Sequence, residues 1–152
     1  MSKTIFEVNY RSEEINELVS RCEHKTLALW ASDCAEHVLI YFEGKHPDNS
    51  NPREAIEAVR LWVRDEMKMT DARKAAFASH AAAREASEDT AIATARACGH
   101  AAATAHVATH APHAATYAAK AVGYDKKDMN AERDWQYNRL LELYSESKHC
   151  IP

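Results

Sequence analysis

Between Asp89 and Lys120 the chain carries a single permanent charge, Arg96. Alanine and threonine fill most of that stretch, interrupted by His100, His106, His110 and His113. A helix facing solvent shows a charged stripe, and this one has none on any side. Alanine has the best helix propensity, and its small side chain lets neighbouring axes approach closely. The spacing therefore predicts a central helix from Thr90 to Ala111, sheltered by other helices. Pro112 must break or kink it by clashing with the carbonyl four residues back.

The rest of the chain reads as helices that could supply that shelter. Ser12 is a candidate N-cap, followed by Glu13 and Glu14, for a helix ending near His24. A second helix is expected over Lys25–Glu43, with Leu27, Trp30, Ala31, Cys34, Val38 and Tyr41 on one face and Gly44 as its stop. GKHPDNSN (Gly44–Asn51) is a loop, after which Asn51 and Pro52 open a third helix carrying Ile56, Val59, Val63 and Met67. A fourth runs from Thr70 to about Ala86. Beyond the central helix a sixth covers Pro112–Val122 with Gly123 at its end, and Asp128 caps the last. The expectation is an all-α, single-domain bundle (1–152) of about seven helices around the Ala/His-rich one. Residues 1–11 read as an extended N-terminal arm.

With 152 residues and a net charge of −4, the chain lacks the basic face of a nucleic-acid binder. Histidines, Arg96 and Pro112 make the uncharged stretch a poor membrane span. Cys22, Cys34, Cys98 and Cys150 lie far apart with no CxxC spacing, as expected of reduced thiols in a cytoplasmic protein.

Two helices concentrate the polar groups that demand an explanation. Arg96, His100, His106 and His110 share a side of the central helix with Ile92 and Val107, while Arg73, His80 and Arg84 share a strip of the fourth helix with Phe77. Groups on such faces must be hydrogen-bonded. These seven residues are read as a buried polar network setting helix register, with Asp33, Glu36 and Glu132 as candidate acceptors. A sharper reading is a metal site. His106 and His110, four apart, would project two imidazoles from one helix face, with His100 or His80 as a third ligand. No HExxH sequence supports it, and no carboxylate lies between Asp89 and Asp125 to act as base. The Glu-x-x-His pairs Glu43–His46 and Glu146–His149 are misplaced for a di-iron bundle core. No phosphate loop, nucleophile elbow or dinucleotide fingerprint occurs, and no cofactor is expected. Trp135, among Glu132, Gln136 and Arg139, lies off the apolar stripe of its helix and is the tryptophan most suited to a binding surface.

The segments PREAIEAVRLWVR (Pro52–Arg64), ARKAAFASHAAAREA (Ala72–Ala86) and GHAAATAHVATHA (Gly99–Ala111) resemble the Imm-5-like family of small bacterial and archaeal immunity proteins. WASDCAEHVL (Trp30–Leu39) and ERDWQ (Glu132–Gln136) are similar to it too. The resemblance implies an all-α fold, a protein partner in the form of a toxin, and no catalytic residues. Three readings follow: a non-enzymatic immunity-type binder, a histidine-dependent metal or small-ligand protein or enzyme, and a structural protein whose copies associate through an alanine-rich face. The first is preferred.

Overall fold

The computed structural model describes residues 7–149, and the first six residues of the expected arm lie outside it. The described residues form eight helices and no strand: α1 (Ser12–Val19), α2 (His24–His37), α3 (Ile40–Glu43), α4 (Asn51–Val63), α5 (Met69–Glu85), α6 (Asp89–Ala103), α7 (His110–Tyr124) and α8 (Met129–His149). The all-α bundle is therefore as expected, with one helix more.

The extra helix arises because the second predicted helix is two. It stops at His37, Val38 leaves the helical region, and α3 resumes at Ile40. Val38, Leu39 and Phe42 are all buried, so the bend keeps apolar residues inward on both sides of the break.

The central helix is shorter than its composition suggests. α6 ends at Ala103, residues 104–109 turn, and the chain re-enters as α7. Pro112 becomes the third residue of α7, in the first turn, where a missing N–H costs nothing. The helix therefore ends well before the proline. At the end of α6 the Thr104 hydroxyl donates to the His100 carbonyl, and the Thr104 carbonyl meets His24 Nε2. From Thr90 to Ala103 no residue is exposed. α6 packs against α2, α3, α4, α5 and α7, and the sheltered axis holds for this part of the stretch.

The helix ends are made differently from the expected ones. Asp128 does cap α8, its carboxylate accepting from the amides of Asn130 and Ala131. Ser12 does not cap α1. It sits inside the helix and donates to the Val8 carbonyl, while Arg11 takes the left-handed cap conformation (φ 59°). Neither Gly44 nor Gly123 adopts positive φ. The left-handed ends of α4 and α7 fall instead on Asp65 (φ 61°) and Lys126 (φ 62°). In each, the next amide bonds five residues back, Glu66 to Leu61 at 2.9 Å and Lys127 to Val122 at 3.1 Å, which closes the last carbonyls.

Candidate functional site

The alanine content of α5, α6 and α7 decides what stands between them. Ala76, Ala82, Ala97, Ala101, Ala111 and Ala114 are buried and short, so these three helices come close and their few long side chains gather at one edge. The Ser79 hydroxyl fixes α5 to α6 by donating to the Ala95 carbonyl at 2.8 Å. One residue on, the His80 ring lies directly over Gly99. A Cβ there would fall 2.6–2.9 Å from three ring atoms, so only glycine fits under the imidazole.

Around that contact the structure brings together His80, Arg96, His100 and His110. Arg96 donates from Nη1 to His80 Nδ1 at 2.9 Å, which fixes His80 as an acceptor. His100 Nδ1 and His110 Nδ1 are 3.0 Å apart, one donating to the other across the α6–α7 turn. The His80 and His100 rings meet edge to face at 5.0 Å, and His100 stacks on Tyr117 of α7 at 5.3 Å. His113, which its sequence context does not mark as a member, lies 5.5 Å from His100. Its position three residues after His110 on α7 was the available signal.

Three of these imidazoles are disfavoured as cations. Burial pushes His80 down to about 4, with Arg96 and Arg84 repelling its proton. Burial and the neighbouring histidines push His100 down to about 3. His110 is also lowered, by burial and then by His113 and His106. Three neutral imidazoles can donate, accept and stack, but at neutral pH they offer no cation to an anionic ligand.

Three of the seven expected residues are not in a buried network. Arg73 is exposed and lies over the ring of Phe77, itself 57% exposed, so the outer strip of α5 faces water. Arg84 is also exposed, acting on His80 only through its charge. His106 is exposed in the 104–109 turn. The helical spacing that would align it with His110 does not exist there, and the grouping of His100, His106 and His110 as metal ligands is not formed. Among the described residues no set of three His, Cys, Asp or Glu side chains is placed to hold a metal ion.

The expected acceptors serve other helices. Asp33 bridges Arg60 and Arg139, each at 2.8 Å, and Glu36 takes Arg60 at 2.7 Å, tying α2 to α4 and α8. Glu132 meets His37 Nδ1 at 2.7 Å, and the His37 ring stacks on Trp135 with centroids 3.7 Å apart. Trp135 is thus half-buried on the surface side of α8. Trp30 is fully buried, and Trp62 is tilted against His24 at 4.8 Å.

The fully buried polar node was not foreseen. Arg133 and Gln136, 4% and 0% exposed, lie on the same stripe of α8 as Leu140. Gln136 accepts from Arg133 Nη1 at 2.9 Å and donates to the Ala115 carbonyl of α7 at 2.8 Å. Its own backbone carbonyl receives Trp30 Nε1 of α2 at 2.8 Å. Arg133 also donates to the Tyr10 carbonyl and the Ser12 hydroxyl. The spacing 133, 136, 140 was the clue, since it is the helical period of a core face.

The Gly99 contact is testable. Gly99→Ala is expected to destabilise by ~1–2 kcal/mol, because displacing the His80 ring outweighs alanine's ~1 kcal/mol advantage in a helix. In a His80→Ala background the same change is expected to stabilise by ~0.5–1 kcal/mol. Urea unfolding of the four proteins checks the sign reversal.

No curated protein and no solved structure matches the chain. Among the described residues no helix is long and apolar enough to cross a membrane. One family model matches residues 17–143, from within α1 to the second half of α8, a span that includes both the imidazole cluster and the Arg133–Gln136 node. The chain belongs to the Imm-5 like putative immunity protein family.

Proposed function

We propose that this protein is a non-enzymatic immunity protein, a cytosolic binder that neutralises a toxin by occupying its surface. Family membership carries the reading. The chemistry of the chain agrees with it. Cys34 and Cys98 are fully buried with their thiols pushed well up by burial, so neither is a nucleophile. The charges acting on His80 are those of Arg96, Arg84 and His110, an arrangement that lowers basicity rather than preparing a general base. What the outside offers is mixed charge around half-exposed aromatics, such as the His37–Trp135 stack, which suits recognition of another protein.

The test is protection. Each toxin-like gene adjacent to this one is expressed in a sensitive host with and without the protein. The expected result is restored growth with one of them, and co-purification of the pair in a fixed ratio. If growth is restored without a stable complex, a binder is the wrong description. If no adjacent product is neutralised, the immunity reading fails.

A further inference from the structure

The α6–α7 edge holds two imidazole nitrogens with more than one use. His100 Nδ1 and His110 Nδ1 stand 3.0 Å apart, which suits a proton held between them. The same separation suits two ligands of one ion. Imidazole nitrogens bind a divalent transition metal at about 2.0–2.1 Å, so two of them 3.0 Å apart subtend roughly a right angle at it. Neighbouring ligands of a tetragonal site meet at that angle. It falls short of the tetrahedral angle that zinc adopts in protein sites.

The pair is held in place and lies at an edge. Tyr117 stacks on His100, and the His80 ring, bonded by Arg96 and seated over Gly99, meets the same imidazole edge to face. Donors steadied by such neighbours lose little freedom when they bind. His100 and His110 are half-buried, and the adjoining His106 and His113 are exposed.

The surroundings narrow the choice of ion. Among the described residues no third His, Cys, Asp or Glu is placed to complete a site with the pair, so the other positions fall to water. Two cations stand close: Arg96 on His80, and Lys120 over the Tyr117 ring at 5.0 Å. Their charge opposes any dipositive ion. Calcium and magnesium, which require oxygen ligands, find neither donors nor attraction here. An ion held against that repulsion must bind imidazole strongly, and copper(II) stands highest in affinity among the divalent first-row metals.

We propose that His100 and His110 form a two-imidazole chelate for copper(II), which binds both Nδ1 atoms and keeps water in its remaining positions. Loading moves the proton between the two Nδ1 atoms to the Nε2 of the ring that carried it. Both rings then stay neutral, and each turns a lone pair to the ion. The site stands apart from the immunity reading, and neither depends on the other.

The experiment uses the full chain without an affinity tag, stripped of metal and titrated with copper(II) against citrate, which removes loosely held ions. The expected result is one bound equivalent and an axial electron paramagnetic resonance spectrum split by two nitrogens. In the 15N-labelled protein, amide signals should fade around residues 96–117 and persist elsewhere. His100→Gln and His110→Gln are each expected to weaken binding about tenfold or more, while His106→Gln in the exposed turn leaves it within about twofold. Circular dichroism checks that each variant is folded, and His110, at the start of α7, serves if the His100 variant is not. No uptake against citrate, an equal loss in His106→Gln, splitting from other than two nitrogens, or fading centred on another region would each overturn the proposal.

Discussion

Replacing Gln136 by leucine is expected to lower the free energy of unfolding by ~3–5 kcal/mol, although the two side chains are nearly the same size. The side chain is fully buried and spans two partners, the Arg133 guanidinium and the Ala115 carbonyl. Leucine fills the space but answers neither. The larger part of the cost is Arg133, which is almost fully buried and already lowered in basicity by that burial. It keeps the Tyr10 carbonyl and Ser12 hydroxyl but loses the acceptor nearest the core. Since Arg133, Gln136 and Trp30 join α8 to α7, α2 and the segment before α1, the loss should appear as one cooperative transition at lower urea. A shift under ~1 kcal/mol would mean that the guanidinium finds water instead, and that this node is not what holds α8 in place.

The second large effect is acid sensitivity. His80 and His100 are held at about 4 and about 3 in the folded chain, against an ordinary value of 6.5. Both are lowered, so the unfolded chain takes up protons first as pH falls. Their contribution is complete above 6.5 and is lost as pH drops toward the folded values. Each histidine bound by one extra proton in the unfolded state gives a slope of ~1.4 kcal/mol per pH unit, and the pair ~2 once partial exposure is allowed for. The stability measured by urea unfolding is therefore expected to fall steeply between about pH 6 and pH 4.5. His100→Gln should remove roughly half of that slope. A flat profile in wild type would show that the cluster protonates without strain, with the rings turning outward to water.

The fold was legible where composition and period act alone. An uncharged alanine stretch with histidines could only be an interior helix, and α6 is one. Asp128 as a cap and Ile56 and Val59 as a core stripe follow from local rules that no neighbour overrides. Legibility failed where tertiary contacts decide. Nothing in HVLIY announces the bend after His37, because the Val38 carbonyl finds its partner, the Thr94 hydroxyl, only on α6. By local rules α6 ends at Pro112, the strongest breaker, whereas the chain turns at Thr104, where two carbonyls find side-chain partners. That early turn moved His106 to the surface and replaced a helical His106–His110 pair with a contact between His100 and His110 across the turn. Sequence alone points to a buried polar network among the histidines and arginines of α5 and α6. Half of it is there, but the fully enclosed part is on α8, where Arg133 reads as part of the apolar face with Leu140 while Gln136 reads as part of the solvated side with Glu132 and Arg139.

The complete enclosure of Cys34 and Cys98 gives the molecule an internal clock. One thiol sits on α2 and the other on α6, both at 0% exposure, so an alkylating reagent reaches either only when the helices around it part. Cys22, partly accessible beyond α1, reacts without such an event and supplies the reference rate. Comparing the three labelling times would thus separate fraying at the α1 edge from opening of the whole bundle.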